Sequence, residues 1–236
     1  MRAWLIGAIL TLGACAGEGT ATRPDRSEIG PADFALASCG VPNAEDICVL
    51  LSAGGKRLLI NAPAGIGEGL GGDELASLDA ILLTGLSARQ TEGLDEVRNR
   101  GWTAGRLVPL KVSGPTGLDL LARGLNGGFQ TADAVAQVEA SPPGGFGAAL
   151  ILAREGEGRG LWTAFDTGDL TAVAVPAGRF QQAYLVTYGE VKLLIRPCGV
   201  QLTGAPAADL ELTCPDGIAE GDVSWPLAEP VVFLTR

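Results

Sequence analysis

The sequence predicts a layered α/β domain, on three observations. Nearly half of its 236 residues are apolar and only 19% are charged, which fills a substantial core at a length suited to one sizeable domain. Short apolar runs of strand length recur from Ile47 to Leu234 with glycine-rich turns between them. A charged stretch with helical spacing and a second, leucine-bearing one interrupt those runs near the middle. Strands before and after a central helix-strand-helix unit fit sheets flanked by helices.

The chain opens outside that domain. Arg2 precedes an apolar stretch from Ala3 to Leu12, too short for a membrane-spanning helix, which needs about 20 residues. It ends in Leu12-Gly13-Ala14-Cys15, which resembles the lipobox of bacterial lipoproteins: small residues admit a peptidase and leave the Cys15 thiol to carry lipid. The alternative is an ordinary secretory signal followed by a cysteine. On the lipoprotein reading, residues 1–14 are a signal peptide and 15–32 a lipidated flexible tether spanning roughly 20–25 Å. Residues 33–236 are then the folded domain. Ala16 in place of Asp resembles an outer-membrane address. The expected location is therefore the bacterial cell envelope, at the periplasmic face of the outer membrane, with Cys15 holding the membrane.

Four cysteines remain, Cys39, Cys48, Cys198 and Cys214. An even count in an exported chain predicts two disulfides. Of the three connectivities, Cys39–Cys48 with Cys198–Cys214 closes the shortest loops at least entropic cost. A four-cysteine zinc site would need x2 spacings, whereas these are x8 and x15.

The remaining elements follow in order. Ile47 to Ala53, Gly54-Gly55 and Lys56 to Asn61 read as a hairpin. The glycine-rich run Gly65 to Gly72 lacks the Lys-Ser/Thr of a phosphate loop and carries Glu68, so it reads as a mobile rim. Asp79 to Thr84 reads as a strand, and the charged stretch after Ser87 as a surface helix stopped by Gly101. Arg106 to Val112 reads as an edge strand because of Pro109, and Pro115 to Leu125 as a helix. Ala134 to Glu139, Gly147 to Arg154 and Leu161 to Phe165 read as successive antiparallel strands. Ala183 to Thr187, Val191 to Ile195 and Val231 to Leu234 complete the set. Trp102, Trp162, Trp225, Phe129, Phe146 and Phe165 read as core or edge packing.

Composition narrows the function. A net charge of −10 without a basic run argues against nucleic acid. The chain has no histidine at all. That matters at Asp79 to Leu94, DAILLTGLSARQTEGL, where an apolar strand meets a turn and then a helix carrying Gly93-Leu94. The frame resembles the signature region of the metallo-β-lactamase fold, Thr-His-x-His-x-Asp-His, with Thr84 in the threonine's place. The four ligand positions read Gly85, Ser87, Arg89 and Gln90, none a good transition-metal ligand, and Arg89 brings a positive charge.

The resemblance implies a four-layer αββα sandwich. It runs best from Leu58 to Leu94. Within the fold it is similar to the pyrroloquinoline-quinone biosynthesis B proteins at Leu59-Ile60-Asn61-Ala62-Pro63. It also implies a bridging carboxylate after a later strand, and Asp166 in Trp162-Thr163-Ala164-Phe165-Asp166-Thr167 stands as its vestige. Three readings of Asp166 follow: a cap on the next helix, an ion pair with Arg89 filling the metal site, or an oxygen-only cation site with Asp169 and Asn61. Ser87 sits where a hydrolase nucleophile would, but a Ser-His-Asp triad is impossible; Lys56, Lys111 and Lys192 are the alternative bases. Catalytic candidates are thus limited to Asp166, Ser87 and Arg89, with no cofactor expected. The leading expectation is a non-catalytic envelope lipoprotein binding a small molecule or a protein. The alternatives are a hydrolase-like enzyme with a remodelled, metal-free or oxygen-liganded site, and a structural protein whose pocket has collapsed.

Overall fold

The structure, a computed structural model, describes residues 26, 29–42, 44–156, 160–215 and 222–234. The expected signal peptide (1–14), Cys15 and most of the expected tether lie outside these residues.

The chain forms β1 (Phe34–Ser38), β2 (Val49–Ala53), β3 (Lys56–Ile60), α1 (Ile66–Gly69), α2 (Gly72–Ala76), β4 (Ala80–Leu82), α3 (Ala88–Thr91) and α4 (Leu94–Thr103). Then come β5 (Leu110–Gly114), α5 (Leu118–Gly128), α6 (Gln130–Ala140), α7 (Gly145–Ala148) and β6 (Ile151–Glu155). The second half is all β: β7 (Trp162–Asp166), β8 (Leu170–Pro176), β9 (Gln182–Tyr188), β10 (Val191–Ile195), β11 (Leu210–Thr213), β12 (Val223–Ser224) and β13 (Val231–Leu234).

Two sheets result, a seven-stranded one in the order β13-β1-β2-β3-β4-β5-β6 and a six-stranded one in the order β12-β11-β10-β9-β8-β7. The run β3 to β6 is parallel, and its three crossovers hold all seven helices of the described residues. Crossovers of one hand put helices on one outer face, so these strands are covered on both sides. Leu58, Leu59 and Ile60 are accordingly all fully buried. The second sheet alternates instead: Leu170, Ala172 and Ala174 point into the main core, while Thr171 and Val173 are half-exposed. On its outer side Val175, Ala183 and Leu194 pack with Leu185 and Leu202. That side is partly covered by the loop 196–209, and among the described residues no helix follows β6. The two-sheet sandwich of the expected fold is present, with its helical cover concentrated on the first sheet.

Several local expectations change. Ala134 to Glu139 is not a strand but part of α6, because Gln130–Ala140 is rich in alanine and glutamine and its valines face water. Gly147 to Arg154 splits into α7 and β6, which lies parallel to β5, and β7 belongs to the other sheet. Pro109 precedes β5 rather than lying within it, so β5 is central between β4 and β6. Gly101 does not stop α4. A Cβ there would lie 2.8 Å from Leu75 O, so the glycine lets α4 pass close to α2.

The glycine-rich run is no mobile rim either. Ile66 and Leu70 are fully buried. Glu96 of α4 accepts hydrogen bonds from Gly65 N (2.9 Å) and Gly67 N (2.8 Å), and Arg100 donates to Gly67 O. An internal carboxylate therefore occupies the amide cradle that a phosphate would use.

Both predicted cysteine pairs are at disulfide distance, with Cα atoms 5.4 Å apart for Cys39–Cys48 and 5.1 Å for Cys198–Cys214. Between α4 and α6, Arg98 and Asp133 form a buried, two-bond ion pair beneath the Phe129 ring. Next to it the buried Arg106 guanidinium donates to Val97 O and Arg98 O in the middle of α4. Desolvation, with the neighbouring Arg98 charge, lowers its pKa to about 10.

A filled cleft at the carboxyl ends of the parallel strands

The signature turn begins where β4 ends. Thr84 and, one strand over, Asn61 both sit at the carboxyl ends of parallel strands, where α/β folds place their sites. Asn61 has φ 60°, a left-handed conformation that asparagine tolerates better than most residues. That conformation aims its carboxamide across to Thr84. Its Nδ2 donates to Ile47 O (2.8 Å) and Thr84 Oγ1 (2.9 Å), and its Oδ1 accepts from Thr84 N (2.8 Å). Both side chains are fully buried.

Beside them Gln90 turns inward from α3. Its Nε2 donates to Asp46 Oδ2 (2.5 Å), and its Oε1 accepts from Ser87 N (3.1 Å) and the Ser87 hydroxyl. Ser87 is thus the helix cap that its position suggests. Asp46 is 2% exposed, and its Oδ1 accepts from Ile47 N (2.8 Å) and Cys198 N (3.2 Å). Three N–H donors therefore satisfy this buried carboxylate. Gly85 has no side chain to offer, and a Cβ there would lie 3.1 Å from the Gln90 carboxamide.

The second sheet closes the space from the other side. Gln182 N donates to Thr84 O (2.9 Å), and Gly85 makes a β-bridge with Gln181. Beneath, the Tyr184 hydroxyl lies 2.9 Å from Leu83 O and 3.1 Å from Ser113 O and accepts from Gln182 Nε2. Burial pushes its phenol far above the ordinary range. What remains outside is an open cleft of about 320 Å³ walled by Leu86, Ser87, Arg89, Phe180 and Gln181.

The structure thus brings Gly85, Ser87, Arg89 and Gln90 to one cleft, but not Asp166. Strand β9 starts at the cleft with Gln182 and runs away from it, and β8 pairs antiparallel to it with Pro176 opposite Gln182. Strand β7 starts near the cleft at Trp162, so Asp166 lies roughly 13 Å further along at about 3.3 Å per residue. It is exposed, and its Oδ1 accepts from Gly168 N (2.7 Å) in the β7–β8 turn. Asp169 belongs to the same turn, where Oδ2 comes close to Gly54. The strand end that does reach the cleft, Val175-Pro176-Ala177, carries no carboxylate.

The ion pair between Arg89 and Asp166 is consequently not formed. Arg89 is exposed, and its guanidinium makes one long hydrogen bond to Ser87 Oγ (3.4 Å). Asn61 is likewise separated from Asp166 and Asp169, so those three do not form an oxygen-only cation site. None of Lys56, Lys111 and Lys192 lines the cleft. Among the described residues, no three His, Cys, Asp or Glu side chains gather as a metal-binding group. The dinuclear metal of the signature does not fit these residues. Gly85 lacks a donor atom, Arg89 repels a cation, and Gln90 has both amide atoms engaged.

Sequence reasoning missed Asp46, Phe180, Gln182 and Tyr184. Asp46 directly precedes a strand-like run and two residues later comes Cys48, which gives it no motif. The pair Gln182 and Tyr184 alternates within β9 and looks like ordinary strand patterning.

Two face-to-face sheets, parallel crossovers in the first and the strand-turn-helix at Thr84 define a metallo-β-lactamase fold. The solved structures agree. The metallo-β-lactamase-fold protein YhfI from Bacillus subtilis superposes with a TM-score of 0.53 at 12% identity, covering 76% of this chain and 70% of its own. Human tRNase Z, short form, gives 0.52 at 14% identity, covering 76% and 74%. Zinc-bound PqqB from Methylobacterium extorquens gives 0.44 at 16% identity, covering 70% and 56%. No family model and no curated protein matches the sequence.

Proposed function

We propose that this chain is a non-catalytic member of the metallo-β-lactamase fold, held at the bacterial cell envelope by lipid on Cys15, whose cleft recognises rather than transforms. The observation that carries this reading is the Asp46–Gln90–Ser87 network. It engages a ligand position in fixed structural hydrogen bonds, beside a second ligand position that has no side chain. Metal-assisted hydrolysis needs a cation that lowers the pKa of a bound water. Here the donors that would hold it are missing or already engaged. Serine chemistry lacks its base, because no lysine reaches the cleft and histidine is absent from the sequence.

The test is hydrolysis of lactam, thioester, phosphomonoester and phosphodiester substrates by the full chain, with zinc, magnesium or calcium supplied. The expected result is turnover no higher than that of the variant Ser87→Ala/Arg89→Ala. Metal-dependent turnover that this variant loses would overturn the reading. For the anchor, labelled palmitate should enter the protein and be lost in Cys15→Ala; equal labelling of the variant contradicts it.

A further inference from the structure

We propose that the cleft is a binding site for a small organic anion that carries a flat ring, such as an aryl phosphate or aryl carboxylate. This deepens the recognition reading above by naming the ligand class.

Charge is the first argument. The chain carries −10 overall, yet among the described residues the charged side chain in the cleft wall is Arg89 and the one in the adjoining hollow is Arg179. The two hollows meet at Gln181. Arg154 stands over Trp162 at the edge of the second hollow, 5.6 Å from the ring centroid. No carboxylate pairs with any of these three arginines among the described residues. Asp46, behind Gln90, is buried and taken up by three N–H donors, and Glu155, beside the second hollow, is taken up by Gly117 N and Asp119 N. Three arginines without a paired carboxylate, grouped on one stretch of an acidic molecule, favour anions there. At Arg89 this charge stands at a metal-ligand position, so attraction for anions persists there while Lewis acidity does not.

Donor capacity is the second. The Arg89 guanidinium has five N–H groups and makes a single 3.4 Å hydrogen bond to Ser87 Oγ. It remains available for the two-bond recognition of a carboxylate or phosphate.

The ring is the third. Phe180 forms a wall of the cleft with 52% of its surface exposed, and the Arg179 guanidinium lies over it, 5.1 Å from the centroid. Arg179 and Phe180 together present one flat face and one charge. A cleft of about 320 Å³ suits a ligand of one or two rings.

The experiment uses the full chain, solubilised in neutral detergent, with three probes: phenyl phosphate, inorganic phosphate and benzyl alcohol. Ligand-observed NMR gives each Kd. Phenyl phosphate should bind about tenfold more tightly than phosphate, and benzyl alcohol should not bind. Arg89→Gln and Arg179→Gln should each weaken phenyl phosphate about tenfold, the loss expected for a charged hydrogen bond. Phe180→Ala should remove the preference for the ring while leaving phosphate binding. All three positions are exposed, so folding should survive, and Arg123→Gln on α5 is the surface control with unchanged affinity. Benzyl alcohol binding as tightly as phenyl phosphate, or arginine variants that bind like the parent, would overturn the proposal. Release of phenol is a separate outcome: it would support the anion site and overturn the non-catalytic reading. Absence of both binding and phenol release would overturn the anion site alone.

Discussion

Replacing Asn61 with alanine should remove the buried bridge between the ends of β3 and β4. In the parent, the Asn61 carboxamide satisfies Thr84 N at 2.8 Å and Ile47 O at 2.8 Å, with no water contact. Stranding a buried polar group costs about 1–3 kcal/mol. Alanine must also adopt φ 60°, a left-handed backbone that adds roughly 1–2 kcal/mol. The expected loss is therefore about 2–5 kcal/mol, a large share of the 5–15 kcal/mol that typically holds a domain folded. Asn61→Gly separates the two contributions: it loses the same hydrogen bonds but accepts the backbone, so it should be about 1 kcal/mol more stable than the alanine variant. Urea unfolding followed by tryptophan fluorescence, with disulfides intact, measures both, and an unchanged m value confirms that the states compared are the same. A loss below about 1 kcal/mol in Asn61→Ala, or no gap between alanine and glycine, would refute the reasoning.

Other expectations concern separate parts of the molecule. Arg98→Met strands the buried Asp133 carboxylate and should cost about 3–5 kcal/mol, while Arg98→Met/Asp133→Leu should regain most of it; equal losses in the single and double variants would contradict this. The double replacement Cys198→Ser/Cys214→Ser opens a loop with a sequence separation of 16 and should lower stability by about 3 kcal/mol on a chain-entropy account. Absorbance at 295 nm should show Tyr184 un-ionised in the folded protein well beyond its ordinary value near 10. Because its folded pKa is raised, the stabilisation it contributes is complete below pH 10 and declines as pH rises further. Ionisation of both tyrosines before unfolding would contradict that assignment.

The strands with strong local signals were legible in the sequence. The hairpin at Gly54-Gly55, β10 and β13 follow from apolar runs between turn residues, and both cysteine pairs follow from loop length. The α6 segment was not, since Val135 and Val138 look like strand residues when six positions are read alone. Their exposure leaves helix propensity and the buried Arg98–Asp133 pair to decide. For the site, the turn at Thr84 and the odd residues in it could be read directly. Asp166 was misplaced because a Trp-Thr-Ala-Phe-Asp-Thr run says nothing about strand direction; β7 happens to start near the cleft and leave it. Asp46 could not be found at all, since only folding brings it 44 positions along the chain to Gln90.

At the turn after Thr84, Ser87 and Gln90 are tied into fixed hydrogen bonds, Gly85 offers no side-chain donor and Arg89 carries a positive charge, so no set of metal ligands is left. The most direct test is calorimetric titration of the full chain with zinc, followed by elemental analysis after desalting. The expected result is no saturable heat and much less than one zinc per chain. One or two tightly held ions per chain, lost in Ser87→Ala or Gln90→Ala, would contradict it.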